Sequence, residues 1–84
     1  MTLVQLRYLC GIAREGFSVS RAAISLGTSQ PAISKQVRML ESEFGADLLI
    51  RRKNRILGLT AAGEAIIEAA RRTLWEADNL KRIT

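Results

Sequence analysis

Apolar residues recur every three or four positions along most of this 84-residue chain, a spacing typical of amphipathic helices. The first such stretch follows Thr2, a suitable helix cap, and ends at Gly16. The second follows Ser18 or Ser20, either of which can cap it, and ends at Gly27. We therefore predict a scaffolding helix and, after a short turn, a second and shorter helix.

A longer third helix is predicted between Thr28 or Ser29, either of which can cap it, and Gly45. Pro31 falls in its first turn, where the missing N–H does no harm. The two faces of this helix differ in character. Its apolar stripe consists of Ile33, Val37, Leu40 and Phe44. The adjoining exposed arc carries Gln30, Ser34, Lys35 and Arg38.

Residues 18–45 thus have the outline of a helix-turn-helix, whose second helix lies in the DNA major groove. Glutamine and arginine can bond purine edges bidentately, whereas lysine and serine suit phosphates and base edges. The same arc would suit an ordinary surface helix, but the tight turn before it favours the DNA interpretation. Glu41 and Glu43 would face phosphates badly. We therefore place the reading surface in the N-terminal half of the helix and assign its C-terminal half to core and an acidic rim.

After Gly45, two short apolar runs at 48–50 and 56–57 flank a basic stretch. This pattern predicts a two-stranded hairpin with its loop around Lys53-Asn54, although the Asn-Gly pair typical of tight hairpins is missing. A charge run is often only a solvated surface. Beside a helix-turn-helix, however, it suits phosphates or the minor groove, so we predict a DNA-contacting wing. The bases of this wing are Arg51, Arg52, Lys53 and Arg55.

From Thr60 the pattern is helical to the end of the chain, with Thr60 as the cap and Glu64 complementing the helix dipole. The helix is longer than a sixty-residue head needs, so we predict a contact with a second copy of the chain in preference to packing within one chain. The predicted dimer residues are Ile66, Ile67, Ala70, Leu74, Ala77 and Leu80. Trp75 lies on the opposite, charged face, and its role is open.

Positive charge is concentrated in the first sixty residues of the chain, whose net charge is +5. Residues 1–60 hold nine Lys and Arg against four acids, whereas residues 61–84 hold four of each. A polyanion such as double-stranded DNA suits the first part, and the neutral last helix has a different task. We predict a winged helix-turn-helix DNA-binding domain at 1–59 and a linker or dimerisation helix at 60–84.

Other classes of function fit poorly. The chain has no His and a single cysteine, Cys10, so we expect no internal disulfide, metal or cofactor. Most nucleophile-and-base pairs lack their usual base, which argues against an enzyme. The apolar runs are too short for a membrane span, and no signal peptide is apparent, so we expect a cytoplasmic location. The alternative that remains is a winged-helix protein-interaction module binding an acidic partner.

The chain resembles the N-terminal winged helix-turn-helix of LysR-type transcriptional regulators in the stretch FSVSRAAISLGTSQPAISKQVRMLESEFGADLLIRR and in LTAAGEAI. The shared motifs are AA-x-x-L in the second helix, S-Q-P-A-I-S in the third, L-E-x-E-x-G at its end, an arginine in the wing and L-T-x-x-G at the last helix. Within the family, the likeness is greatest to the CysB-like subgroup of cysteine-biosynthesis regulators. Departures from the family pattern occur at Leu49, Ile50 and Arg52-Lys53, all in the wing.

The resemblance implies a mainly α-helical bacterial transcription factor with three helices, a wing and a long linker helix. Two such linker helices pair antiparallel in a dimer that binds an interrupted palindrome, with a tetramer in the full-length protein. A C-terminal domain, absent from this chain, would bind a small-molecule effector related to sulfur metabolism. The implied base-reading positions are Ser29, Gln30, Pro31, Ser34, Lys35 and Arg38. The implied backbone contacts are Ser18, Ser20, Thr28 and the wing around Arg51.

Overall fold

The computed structural model describes residues 1–83, and Thr84 at the end of the predicted last helix lies outside the described residues. The elements in chain order are α1 (Leu3–Arg14), α2 (Val19–Leu26), α3 (Gln30–Phe44), β1 (Leu49–Arg52), β2 (Arg55–Leu59) and α4 (Ala61–Ile83). The mainly α-helical winged helix-turn-helix that the sequence predicts is confirmed.

Two serine caps and a glycine define α2 and the turn that joins it to α3. Ser18, and not Ser20, caps α2, since its Oγ accepts the N–H of Arg21 at 3.2 Å. Ser29, and not Thr28, caps α3 by accepting the N–H of Ala32, also at 3.2 Å. Between them Gly27 has a φ of 67°, a left-handed conformation that a residue without a Cβ adopts without strain.

The hydrophobic core lies where the first three helices meet the base of the hairpin and the first half of α4. Its largest fully buried side chains are Leu9, Ile12, Ile33, Leu40, Leu48 and Val37. Burying this surface is the main favourable term in folding, and it turns the polar arc of α3 outward. Phe44, predicted on the same stripe, is 37% exposed, because α3 ends there and the residue lies outside the core cluster.

The two strands pair antiparallel, and the hairpin loop falls at Lys53-Asn54 as predicted. Lys53 has a φ of 58°, the left-handed conformation that a tight hairpin turn requires. The register shifts between Ile50 and Arg51, which leaves Leu57 as the extra residue of a bulge. The pairing is Leu49 with Leu59, Ile50 with Gly58, Arg51 with Ile56, and Arg52 with Arg55.

Glu41 joins α3 to this hairpin. Its carboxylate accepts the backbone N–H groups of Leu48 at 2.8 Å and Leu49 at 3.3 Å. The guanidinium of Arg51 donates two further bonds, at 2.8 and 3.0 Å, one to each carboxylate oxygen. Our prediction that Glu41 lies on an exposed rim is therefore wrong. Glu41 follows Val37 by four residues, which places it on the inward side of α3.

The same contacts lower the pKa of Glu41. Burial by itself raises the pKa of the carboxyl, but the bonds from Arg51, Leu48 and Leu49, together with the charge of Arg51, outweigh it. A depressed pKa means that the folded chain favours the carboxylate more than the unfolded chain does. The resulting stability is present above the pKa of an unfolded glutamate, about 4.3, and is lost as pH falls through the lower folded-state value.

The start of α4 is fixed to the same loop. The backbone N–H of Thr60 donates to the Leu48 carbonyl at 3.0 Å, and its hydroxyl donates to the Asp47 carbonyl at 2.6 Å. The hydroxyl oxygen also accepts the N–H of Gly63 at 3.0 Å, as expected of a cap. A Cβ on Gly63 would lie 2.0 Å from the Leu48 carbonyl oxygen, so α4 sits directly against backbone.

The first half of α4 completes the core of its own chain. Ile67 and Ala70 are each only 3% exposed, which corrects their assignment to a dimer contact, since they have almost no surface to offer a second copy. Ile66 and Leu74 are partly buried against the same core. Beyond Leu74 the large apolar side chains of α4 are no longer buried, and Leu80 is 66% exposed.

We expect Gly63→Ala to lower the free energy of unfolding by about 1–3 kcal/mol or more, because a methyl group there must displace the Leu48 backbone. Urea unfolding followed by circular dichroism measures this change. The matched control is Gly58→Ala, since a Cβ at Gly58 meets nothing within 4 Å. Equal stability of the two variants would contradict the close approach of α4 to the hairpin base.

We expect the Glu41→Gln variant to lose less stability than the wild type as the pH falls below about 4.3, because it lacks the carboxylate whose pKa folding lowers. Urea unfolding at a series of pH values between neutrality and pH 3 measures the slope. Glu68→Gln, which removes an exposed carboxylate from α4 beyond its first turn, is the control. Parallel pH profiles for Glu41→Gln and the wild type would show that the carboxylate is not selectively stabilised by folding.

Candidate nucleic-acid interface

The predicted reading residues lie exposed on one side of α3. This α3 arc consists of Gln30, Pro31, Ser34, Lys35 and Arg38. Ser29 is also exposed, but its oxygen already accepts the Ala32 N–H as the cap. Lys35 and Arg38 form no salt bridge with any carboxylate of residues 1–83. The arc therefore presents an amide, a hydroxyl and two unpaired cations to solvent.

A cleft of about 360 Å³ connects this arc with two other elements. Ser18 and Ser20, at the start of α2, line one side of it, with their hydroxyl oxygens 3.1 Å apart. Gln30 comes from α3, and Arg55 from the hairpin. The N-terminus of α2 adds the partial positive charge of its free N–H groups. The structure thus brings together residues of both predicted groups, the base-reading and the backbone-contacting one.

Three bases crowd the tip of the hairpin, and we call Arg52, Lys53 and Arg55 the wing cations. Arg52 and Arg55 are directly opposite each other across the strands, and Lys53 occupies the turn between them. All three are exposed and have no carboxylate partner within residues 1–83. Like charges directly opposite destabilise a strand pair, so this arrangement favours the presence of an anion.

Arg51 differs from the wing cations in its surroundings. Its side chain is 23% exposed and bonds Glu41, whose side chain is 6% exposed. From the sequence alone the four bases of the wing are equivalent. Side chains alternate along β1, however, so Arg51 points inward on the same side as Leu49, whereas Arg52 points outward. Sequence reasoning missed Glu41, although an acid four residues after a core valine was a usable signal.

The rest of the described chain offers little other chemistry. Burial raises the pKa of the Cys10 thiol, against the lowering effect of Arg71 and Arg14, so the thiol is poorly reactive. Residues 1–83 contain no group of His, Cys, Asp and Glu side chains that could hold a metal ion. Among the four helices, none has the length and apolar character that crossing a membrane requires.

Comparison with known proteins agrees with this geometry. The chain is 42% identical over 83 residues to the HTH-type transcriptional regulator CysB of Haemophilus influenzae, covering 99% of this chain and 26% of that protein. It is 40% identical over the same length to the HTH-type transcriptional regulator SsuR of Burkholderia cenocepacia, covering 27% of it. The chain thus spans about a quarter of the length of these relatives. Both are regulators and not enzymes, as the sequence predicts for this chain.

The fold has a close counterpart among structures bound to DNA. The crystal structure of the CbnR_DBD–DNA complex superposes with a TM-score of 0.88 at 40% identity, covering 98% of this chain and 92% of that one. Residues 3–64 match the family described as bacterial regulatory helix-turn-helix protein, lysR family. On this match and the identity with its relatives, the chain belongs to the LysR family of transcriptional regulators and forms its DNA-binding helix-turn-helix domain.

Proposed function

We propose that this chain binds double-stranded DNA in a sequence-specific manner, with α3 in the major groove and the wing on the neighbouring minor groove or backbone. The observation that carries the proposal is the cleft at which the start of α2, the α3 arc and the hairpin meet. One duplex lying across that cleft can contact all three elements. The net charge of the first sixty residues suits such a partner.

We assign different tasks to the two groups of contacts. Gln30, Ser34 and Arg38 carry donors and acceptors that can reach base edges and therefore discriminate sequence. Lys35 can contact either a base or a phosphate. We propose that the wing cations, Ser18 and Ser20 at the start of α2, and Thr28 in the turn before α3 bind the sugar–phosphate backbone and fix the position of α3.

We expect Gln30→Ala to weaken the free energy of binding to the selected duplex by about 1–3 kcal/mol. The variant should also lose the preference for one base pair at the position that Gln30 contacts. Lys53→Ala should instead weaken binding to all sequences and reduce the salt slope by about one. Selection of duplexes from random DNA by the wild-type chain, followed by titration of the variants at several salt concentrations, measures both effects. Ile24→Ala, at an exposed apolar residue of α2, is the control.

This experiment also tests the proposed function itself. Equal affinity of the wild type for selected and scrambled duplexes would leave only a non-specific binder. Binding to neither duplex would overturn the proposal and favour an acidic protein partner for the same basic surface.

We further propose that the chain divides at residue 60 into a DNA-binding head and a dimerisation helix, and that two copies pair through α4. The surface that remains for this contact, after Ile67 and Ala70 are assigned to the core, comes from Ile66, Leu74, Ala77 and Leu80. Ile83 extends it at 81% exposure. Trp75, 62% exposed beside Arg71 and Arg72, lies on the charged side of the helix, and we assign it no role.

We expect the chain to sediment as a dimer and Leu80→Glu to sediment as a monomer, because a buried charge would oppose the apolar contact. Analytical ultracentrifugation at several micromolar concentrations measures the association. Ile24→Glu, which changes an 83% exposed residue on α2, is the matched control and should remain dimeric. A wild type that stays monomeric at all concentrations would contradict the pairing through α4.

By resemblance to the CysB-like regulators, we propose that the whole protein regulates transcription at an interrupted palindrome, with genes of sulfur metabolism as its targets. The same resemblance supports a tetramer in the full-length protein and a small-molecule effector bound outside the described residues. Because genomic DNA would be its partner, we also propose a cytoplasmic location for the protein. Ser29 and Pro31 complete the proposed reading surface at the N-terminus of α3.

A further inference from the structure

We infer that Glu41 and Arg51 are positioning residues, whose ion pair fixes the angle between the wing and α3 so that the wing cations and the α3 arc reach one duplex together. This inference rests on the proposed DNA binding. It assigns to Arg51 a task different from that of a direct DNA contact, since Arg51 acts through the wing cations.

The first support is the concentration of contacts on one carboxylate. Glu41 lies in the last turn and a half of α3, and four donors from residues 48, 49 and 51 converge on it. Both ends of the connection are thereby fixed, since Glu41 belongs to α3 and Arg51 to β1. A bidentate bond between guanidinium and carboxylate also fixes the relative orientation of the two planes.

The second support is that the hairpin meets the rest of the chain along one side only, where Leu49, Ile56 and Leu59 pack against the core. Its tip projects beyond the core, with Arg52, Lys53, Asn54 and Arg55 all exposed. The hairpin is two strands only, and an isolated pair of this kind has little stability of its own. Its orientation therefore depends on this apolar side and on its base, where Leu48 and Leu49 are buried and donate to Glu41.

The third support is the bulge beside Arg51. The register shift lies between Ile50 and Arg51 and leaves Leu57 unpaired, so β2 bends opposite the residue that bonds Glu41. A bulge re-aims the side chains that follow it. Here it places Ile56 opposite Arg51 and leaves Arg52 and Arg55 facing each other on the exposed side.

The sign of the effect on DNA affinity distinguishes positioning from simple charge. Glu41→Gln removes a negative charge from a surface that binds a polyanion, and charge alone predicts tighter binding. If Arg51 were a direct contact, its release from Glu41 would tighten binding further. If the pair positions the wing, Glu41→Gln weakens binding despite the lost negative charge.

The first arm of the test uses no DNA. Residual dipolar couplings of the backbone amides report whether the hairpin and the helices share one fixed orientation. In the wild type the couplings of residues 49–59 should fit the alignment tensor of the helices. In Glu41→Gln they should no longer fit it, while those of α1, α2 and α3 still agree with one another. A hairpin that keeps the wild-type orientation in this variant overturns the inference.

The second arm is a double-mutant cycle on the strongest duplex that the wild type selects. In the wild-type background, Lys53→Ala should lower the salt slope by about 0.9, the value for one lost phosphate contact. In the Glu41→Gln background the same substitution should change the slope little, because the wing is already misplaced. Additive effects of the two substitutions, or tighter binding by Glu41→Gln, overturn the inference.

Three further variants separate positioning from stability and charge. Glu43→Gln removes an exposed acid from the same helix and should not weaken binding. Ile12→Val weakens the core at a buried residue that makes no bond to Glu41, and should preserve the Lys53 effect. Arg51→Lys keeps the charge but loses the bidentate geometry, so Lys53→Ala should change the salt slope little in this background too. This variant carries the test if Glu41→Gln does not fold.

Absence of DNA binding by the wild type would refute the proposed function. The residual dipolar couplings of the first arm would still test the positioning.

Discussion

One buried carboxylate connects the parts of this domain that must act together. Glu41 belongs to α3, yet all four of its bonds come from the hairpin and the loop before it. A buried charge is costly unless its hydrogen-bonding capacity is satisfied. The hydrogen-bond donors of the segment from Leu48 to Arg51 satisfy the Glu41 carboxylate, so the burial of Glu41 depends on the position of the hairpin.

The start of α4 depends on the same short segment. Leu48 donates its N–H to Glu41 and accepts the N–H of Thr60 through its carbonyl, while its side chain is fully buried. Gly63 allows α4 to lie against that carbonyl. One residue therefore contacts α3, the hairpin and the start of α4.

The arrangement of charge follows from this architecture. Where a base has an internal acid, as Arg51 has Glu41, it fixes the shape of the surface. Where bases have no acid among the described residues, as with Lys35, Arg38 and the wing cations, they remain available to a polyanion. The opposition of Arg52 and Arg55 across the hairpin is tolerated in the free chain and becomes favourable when an anion neutralises it.

The local features are predictable from the order of residues alone: the order of helices and hairpin, the caps at Thr60 and Gly27, the hairpin loop at Lys53-Asn54 and the exposed arc of α3. These depend on periodicity, on the conformational freedom of glycine and on side-chain capping, all of which act within a few residues. Tertiary structure decided which side chains have partners distant in sequence. It moved Glu41 from an exposed rim to the interior and gave Arg51 an internal bond. It also took Ile67 and Ala70 from the predicted dimer contact into the core. Periodicity identifies the side of a helix that is apolar, but it does not specify whether the surface that covers it belongs to the same chain or to another.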